Sequence, residues 1–293
     1  VRGGRDLPDG SFKRLGPKGG APNGINMDRE GRVLIANFGI YDKQEGPLQR
    51  FDPATGQHET LVAQVGGKRL TSANYPVMDR AGNIWCANST HAETWPQALD
   101  GRTDGFIFVL RPDGSTEIVA EGLKFPNGMA LSADEATSSA PRPAAPTSWP
   151  SRCWRAESWA PATAMARCWA SCSRRSRRRR GASDLGYTDG VGMDAEGNLW
   201  VCLPAANKVV AITSSLEVVT VIHDLSGEIV NHPTNITWGG PDLKDLYIGS
   251  IRAGYVLKGR SPVAGPAAYP PVKIPPLAGR IRAMGTSTVI GDH

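Results

Sequence analysis

Short apolar runs bounded by Gly, Asp, Asn and Pro alternate with polar stretches along most of this chain, and the runs come in pairs. Ile25–Met27 pairs with Val33–Ala36, and Val191–Met193 with Leu199–Leu203. A tight turn separates the members of each pair: Asp28-Arg29-Glu30-Gly31, Asp79-Arg80-Ala81-Gly82 and Asp194-Ala195-Glu196-Gly197. Asp at the first position and Gly at the last are type I turn preferences. The flanking runs are rich in the aliphatics and Trp that suit a strand, so each pair predicts a β-hairpin. Leu48–Phe51 before Asp52-Pro53-Ala54-Thr55-Gly56, and Phe106–Leu110 before Arg111-Pro112-Asp113-Gly114, supply further strands. Two hairpins per unit give four strands, the composition of a propeller blade.

The units also share a phrase. Ala21-Pro22-Asn23-Gly24-Ile25-Asn26-Met27-Asp28 is echoed from Ala73, from Pro126, from Thr188 and from Pro233. Its repeated polar residues are Asn23, Asn74, Asn127, Asp189 and Asn235, at intervals of 51, 53, 62 and 46 residues. Such intervals suit a four-stranded blade with variable loops and exceed a leucine-rich or ankyrin repeat. A β-sandwich would account for the short strands and the turns, but not for a recurring phrase. The expected fold is an all-β propeller spanning 1–266, with a Pro-rich tail over 267–293 that lacks the blade pattern.

Residues 136–180 do not follow this pattern. They contain no Ile, Val, Leu, Phe, Tyr, Gly, Asp, Asn or Lys, but hold four Trp and three of the five cysteines. A basic nucleic-acid arm and a disordered linker are two readings of such a stretch. A third comes from the genetic code. All of these residues except Glu157 and Met165 can be encoded with G or C at the second codon base, as expected of a GC-rich gene read out of frame. On that reading the segment replaces the later strands of one blade. It carries ten Arg and one Glu, a contribution of +9 to a chain whose net charge is +5, so the remainder carries −4. The electrostatic footprint of a nucleic-acid binder then disappears, and no nucleic-acid partner is expected.

No run approaches the roughly 18 apolar residues of a membrane helix, so no membrane partner is expected. Five cysteines without regular spacing argue against a disulfide framework or a zinc ribbon, and Cys86 and Cys202 read as buried core thiols. The N-terminal residues show no signal peptide, which makes the cytoplasm the default compartment. Oligomeric state is left open.

In a propeller the first strand of each blade lines the central channel. The repeated Asn and Asp residues would therefore converge at one mouth of it. Their oxygens suit hard cations. Taken singly, each Asn-Gly reads more simply as a tight turn. His91, His223 and His232 are scattered and read as surface or packing residues, and no Gly-x-Ser-x-Gly elbow accompanies them. Trp85 and Trp200 share one repeat position and read as packing residues.

At these residues the chain resembles the gluconolactonase/regucalcin (senescence-marker-protein) family of six-bladed propellers. The phrases that carry the resemblance are Gly67–Asn74, Phe125–Ser132, Thr188–Gly197 and Thr234–Gly240. It implies a metal-dependent hydrolase that opens a lactone by attack of metal-bound water, using one divalent cation (Ca2+, Mn2+, Mg2+ or Zn2+). By the same resemblance Asn127 and Asp189 are metal ligands, and Asp189 is the catalytic base. Asn74 and Tyr75 fall at the substrate contact, with Tyr75 standing where the family often has Asp. The family's first-blade Glu has no counterpart here, because Glu45-Gly46-Pro47 falls in the wrong phase of the repeat. A six-bladed ring then has its first blade largely missing and its fourth disrupted, so the chain as written is expected to fold or act poorly. The alternatives are a non-catalytic propeller that binds a small molecule or protein, and a related propeller enzyme such as an esterase, an organophosphate hydrolase or a strictosidine-synthase-like protein.

Overall fold

The structure, a computed structural model, describes residues 3–6, 12–15, 20–41, 45–131, 166–170, 188–215 and 217–266. The anomalous segment falls outside these residues apart from 166–170, as does the tail from 267. Strands β1 (Gly3–Asp6) and β2 (Phe12–Leu15) pair as a hairpin. Then β3 (Pro22–Met27), β4 (Val33–Asn37), β5 (Leu48–Phe51) and β6 (His58–Val62) form an antiparallel sheet in chain order. A small hairpin, β7 (Gln64–Val65) and β8 (Lys68–Arg69), leads to the next sheet. That sheet comprises β9 (Ala73–Met78), β10 (Ile84–Asn88), β11 (Gly105–Leu110) and β12 (Thr116–Leu123). A single helical turn, α1 (Trp95–Ala98), lies in the β10–β11 connection.

Strand β13 (Pro126–Leu131) pairs with β14 (Ala166–Ala170). A third four-stranded sheet holds β15 (Val191–Met193), β16 (Leu199–Leu203), β17 (Lys208–Ile212) and β18 (Val218–His223). The last has three strands, β19 (Pro233–Gly239), β20 (Asp245–Ser250) and β21 (Leu257–Arg260). The first strands β3, β9, β13, β15 and β19 lie side by side in chain order. The result is an all-β, propeller-like arrangement of four blades among the described residues, with the β13–β14 pair between the second and third of them.

Alternation along the strands sends apolar side chains to both faces of each sheet, so the core lies between blades. Leu34 and Leu48 of one blade meet Cys86, Phe106 and Phe108 of the next. Trp200, Cys202 and Val209 meet Ile236, Leu246 and Ile248 in the same way. Fully burying an aliphatic or Phe side chain contributes about 1.5–3 kcal/mol, so these layers supply most of the stability. Cys86 and Cys202 are buried and free, as read from their place on second strands.

The three Asp-to-Gly turns form as predicted, with Gly31, Gly82 and Gly197 at φ of 82°, 86° and 82°. A Cβ disfavours that left-handed conformation, which explains the fixed Gly. The turn aspartates are buried and saturated with donors. Asp194 accepts the Glu196 and Asn198 backbone N–H groups, the Asn198 amide at 2.8 Å and the Trp200 indole N–H at 2.8 Å. Asp79 repeats the arrangement with Asn83 and Trp85. In the blade that begins at β3, Arg32 takes the place of the Asn and donates to Asp28 at 2.6 Å. Trp85 and Trp200 are therefore packing residues whose one polar atom is tied to the turn.

Candidate active site

Every first strand except β15 departs from regular pairing at the repeated polar position. Pro22 faces Asn37 and Ile25 faces Ile35, so the inner strand carries one residue more than its partner across Asn23-Gly24. The same surplus falls across Asn74-Tyr75 and across Asn127-Gly128, and another falls at Thr234, beside Asn235. A bulge bends the strand and re-aims the side chain within it. Asp189 lies just ahead of β15, where its N–H donates to the Cys202 carbonyl at 3.0 Å and Cys202 returns a bond to Gly190.

The glycines of the phrase do not make turns. Gly24, Gly128 and Gly190 have no positive φ, which corrects the simpler reading of each Asn-Gly. They mark backbone contact between consecutive first strands. A Cβ on Gly24 would stand 2.2 Å from the Asn74 carbonyl oxygen, one on Gly128 2.7 Å from Gly190 Cα, and one on Gly190 2.4 Å from the Thr234 carbonyl oxygen. No real Cβ tolerates such approaches, so at these three junctions only Gly lets one inner strand lie against the next.

This packing brings Asn127 and Asp189 together. Their side chains hydrogen-bond, and the neutral amide is the one group that lowers the Asp189 pKa. Burial dominates and lifts the carboxyl from its ordinary 3.8 to about 7. The Cys202 thiol is raised well above its usual value, first by burial and then by the nearby Asp189. The adjacent Thr188 hydroxyl is buried with no hydrogen-bond partner among the described residues. Among those residues no group of three or more His, Cys, Asp and Glu is arranged to hold a metal ion. The groups brought together here are the Asp189 carboxyl and the Asn127 amide.

Asn74 is buried and donates its amide to Ser89 Oγ at 2.9 Å; Ser89 Oγ in turn donates to the Pro126 carbonyl at 2.8 Å, immediately before Asn127. Tyr75 lies over Gly24 and reaches the opposite side of the ring, its hydroxyl 3.4 Å from the Asn235 amide. Burial raises the Tyr75 pKa, so the phenol stays neutral. Asn23 is exposed, and Asn235 spends its Oδ1 on the Ile236 N–H. The five repeated polar positions thus divide. Asn127 and Asp189 form one pair, Asn74 is linked to that pair through Ser89 and the Pro126 carbonyl, and Tyr75 and Asn235 span the axis.

His91 is half-buried against Phe106 with its pKa lowered by burial, and the His232 N–H donates to Asn207. Glu45 is exposed and pairs with Arg69. Sequence reasoning missed Ser89 and Asn88. The Asn88 side-chain oxygen accepts the Thr71 and Ser72 N–H groups and so holds the segment leading into β9. The available signal was the repeat itself, because Phe38, Ser89 and Pro204 occupy the same position ten residues after their turn aspartates. A hydroxyl appears only at the second of these.

Comparison with known proteins agrees with this architecture. The chain belongs to the SMP-30/Gluconolactonase/LRE-like family, which it matches over residues 41–252. It is 28% identical over 131 residues to a gluconolactonase of Zymomonas mobilis subsp. mobilis, covering 44% of this chain and 34% of that protein. The chain thus spans about a third of the length of that relative. Among solved structures, a gluconolactonase from Xanthomonas campestris superimposes with a TM-score of 0.55 at 23% identity, over 83% of this chain and 73% of the other. A luciferin-regenerating enzyme gives 0.52 at 17% identity, over 88% and 83%. At these identities the two structures show the shared fold. No helix among the described residues is long and apolar enough to cross a membrane.

Proposed function

We propose that this chain is a lactone hydrolase that uses a divalent cation. The observation that carries the reading is Asp189, a largely desolvated carboxyl with a pKa of about 7 whose hydrogen-bonding neighbour is the neutral Asn127 amide. Perturbation of this kind, by burial beside a channel, marks groups poised for proton transfer near neutral pH. Family membership and the gluconolactonase relative favour a lactone as substrate.

The donor chemistry fits a hard cation such as Ca2+, Mn2+ or Mg2+, a carboxylate also takes Zn2+, and Asn127 and Asp189 are the residues that would hold the ion. When bound, such an ion supplies Lewis acidity toward the lactone carbonyl. The Asp189 carboxylate accepts a proton from the attacking water as its oxygen bonds to the carbonyl carbon. The ring ester C–O bond then breaks, and the proton passes to the departing alkoxide, leaving a hydroxy acid. Asn127 keeps the carboxylate oriented, while Asn74 and Tyr75 contact substrate from the second described blade. The same reading places these blades in a six-bladed ring, with β13 in the blade interrupted by 136–180, the segment that contains β14.

The test is hydrolysis of sugar lactones and simple lactones, followed by acid release, with and without added Ca2+, Mn2+ or Zn2+. Asn127→Ala is expected to raise the metal concentration needed for half-maximal rate by at least about tenfold. Turnover that survives both chelation and Asp189→Ala overturns the mechanism.

A further inference from the structure

The hydrogen bonds around Ser89 have only one possible polarity. The Pro126 carbonyl can only accept, so the Ser89 hydroxyl proton is committed to it at 2.8 Å. With its single proton used, Ser89 Oγ can only accept from Asn74, at 2.9 Å. Asn74 must therefore present its NH2 group to Ser89, which leaves Oδ1 as the end of the amide for other partners. Ser89 is fully buried, so no water competes for either bond. Its repeat equivalents are Phe38, which stacks on Trp95, and Pro204, which opens a 3-10 turn. Neither can perform this task, so the hydroxyl is not a requirement of the blade.

We infer that Ser89 is a positioning residue that fixes the Asn74 amide with its oxygen available to the channel and ties that orientation to the strand carrying Asn127. Asn74 then offers its Oδ1 as an acceptor to a substrate hydroxyl or a water, with one of its two N–H donors held by Ser89. This inference rests on the lactonase reading for its catalytic consequence, but not for the orientation itself.

A double-mutant cycle with Ser89→Ala and Asn74→Ala tests the consequence, with thermal melts run on every variant. Ser89→Ala is expected to lower kcat/KM for lactone hydrolysis about tenfold in the parent chain. In the Asn74→Ala background the same change is expected to shift kcat/KM by less than about twofold, because the residue it acts through is gone. Ser89→Thr, which keeps the hydroxyl, is expected to restore most of the loss. Independent, additive losses in the cycle overturn the inference, since a purely structural serine would act alike in both backgrounds. The orientation is read separately from the Asn74 side-chain NH2 resonances of the 15N-labelled chain. They are expected to exchange slowly with solvent in the parent and at least tenfold faster in Ser89→Ala. Unchanged exchange refutes the orientation whether or not any lactone is turned over. Absent turnover with protected Asn74 resonances would sink the lactonase reading and leave Ser89 as assigned.

Discussion

Asp189 and Asp194 stand five residues apart on either side of β15, yet their carboxylates are treated in opposite ways. Asp194 is buried beneath four donors, two from the turn backbone and two from Asn198 and Trp200. Asp189, just ahead of the same strand, is partly exposed and has a neutral amide beside it. A buried carboxylate whose lone pairs are all used holds a structure together. One that remains under-satisfied stores a tendency to bind a proton or a cation. The same residue type, within one repeat, thus closes the turn at one end and is left under-satisfied at the other, where the proposed chemistry would use it.

The largest effect that should separate the two is on turnover. Asp189→Ala is expected to lower lactone kcat/KM by a factor on the order of 1,000, with the thermal melt at pH 8 unchanged or raised. Collapse of the fold in this variant would mean that Asp189 is structural after all. Asp194→Ala should do the reverse. Leaving the Trp200 indole and the turn N–H groups unpaired is expected to remove about 3 kcal/mol of stability, measured by urea unfolding.

A titration sharpens the contrast. The folded pKa of Asp189 lies above its ordinary value, near 7 against 3.8. A raised carboxyl contributes stability that is complete below pH 4 and is lost as pH climbs through 7. With partial exposure discounting the full shift, the loss between pH 4 and pH 8 is expected to be about 2 kcal/mol, absent in Asp189→Asn. An identical pH slope in both proteins would show that some other group carries it. The smallest effect is expected at Trp85→Phe, which removes the indole donor to Asp79 while keeping most of the burial, for a loss of about 1 kcal/mol.

Much of this contrast was legible in the sequence because it is local. Asp followed three residues later by Gly specifies its own turn, and the Asn that follows Gly82 and Gly197 completes it without help from elsewhere. Hairpins and blades followed from repetition of that unit, whereas the repeat alone did not single out Asn127 and Asp189 among its five polar positions. What escaped depends on residues that meet only across blades. Gly24, Gly128 and Gly190 looked like turn formers because their need for space is created by the neighbouring strand. Ser89 looked ordinary because its significance lies in a carbonyl 37 residues away. The bulges at Asn74 and Asn127 likewise have no composition of their own, since they exist only as a mismatch between two paired strands.

The glycine contacts along the axis have one more consequence. The β10–β11 connection carries α1, whereas only residues 204–207 separate β16 from β17, so loops differ from blade to blade. At the centre no such latitude exists at β3–β9, β13–β15 and β15–β19, where a Gly rests against the backbone of the next inner strand. Length added at the rim is not passed inward, whereas a shift of one inner strand must displace its neighbour. The hub acts as a gauge, measuring every blade against the one before it.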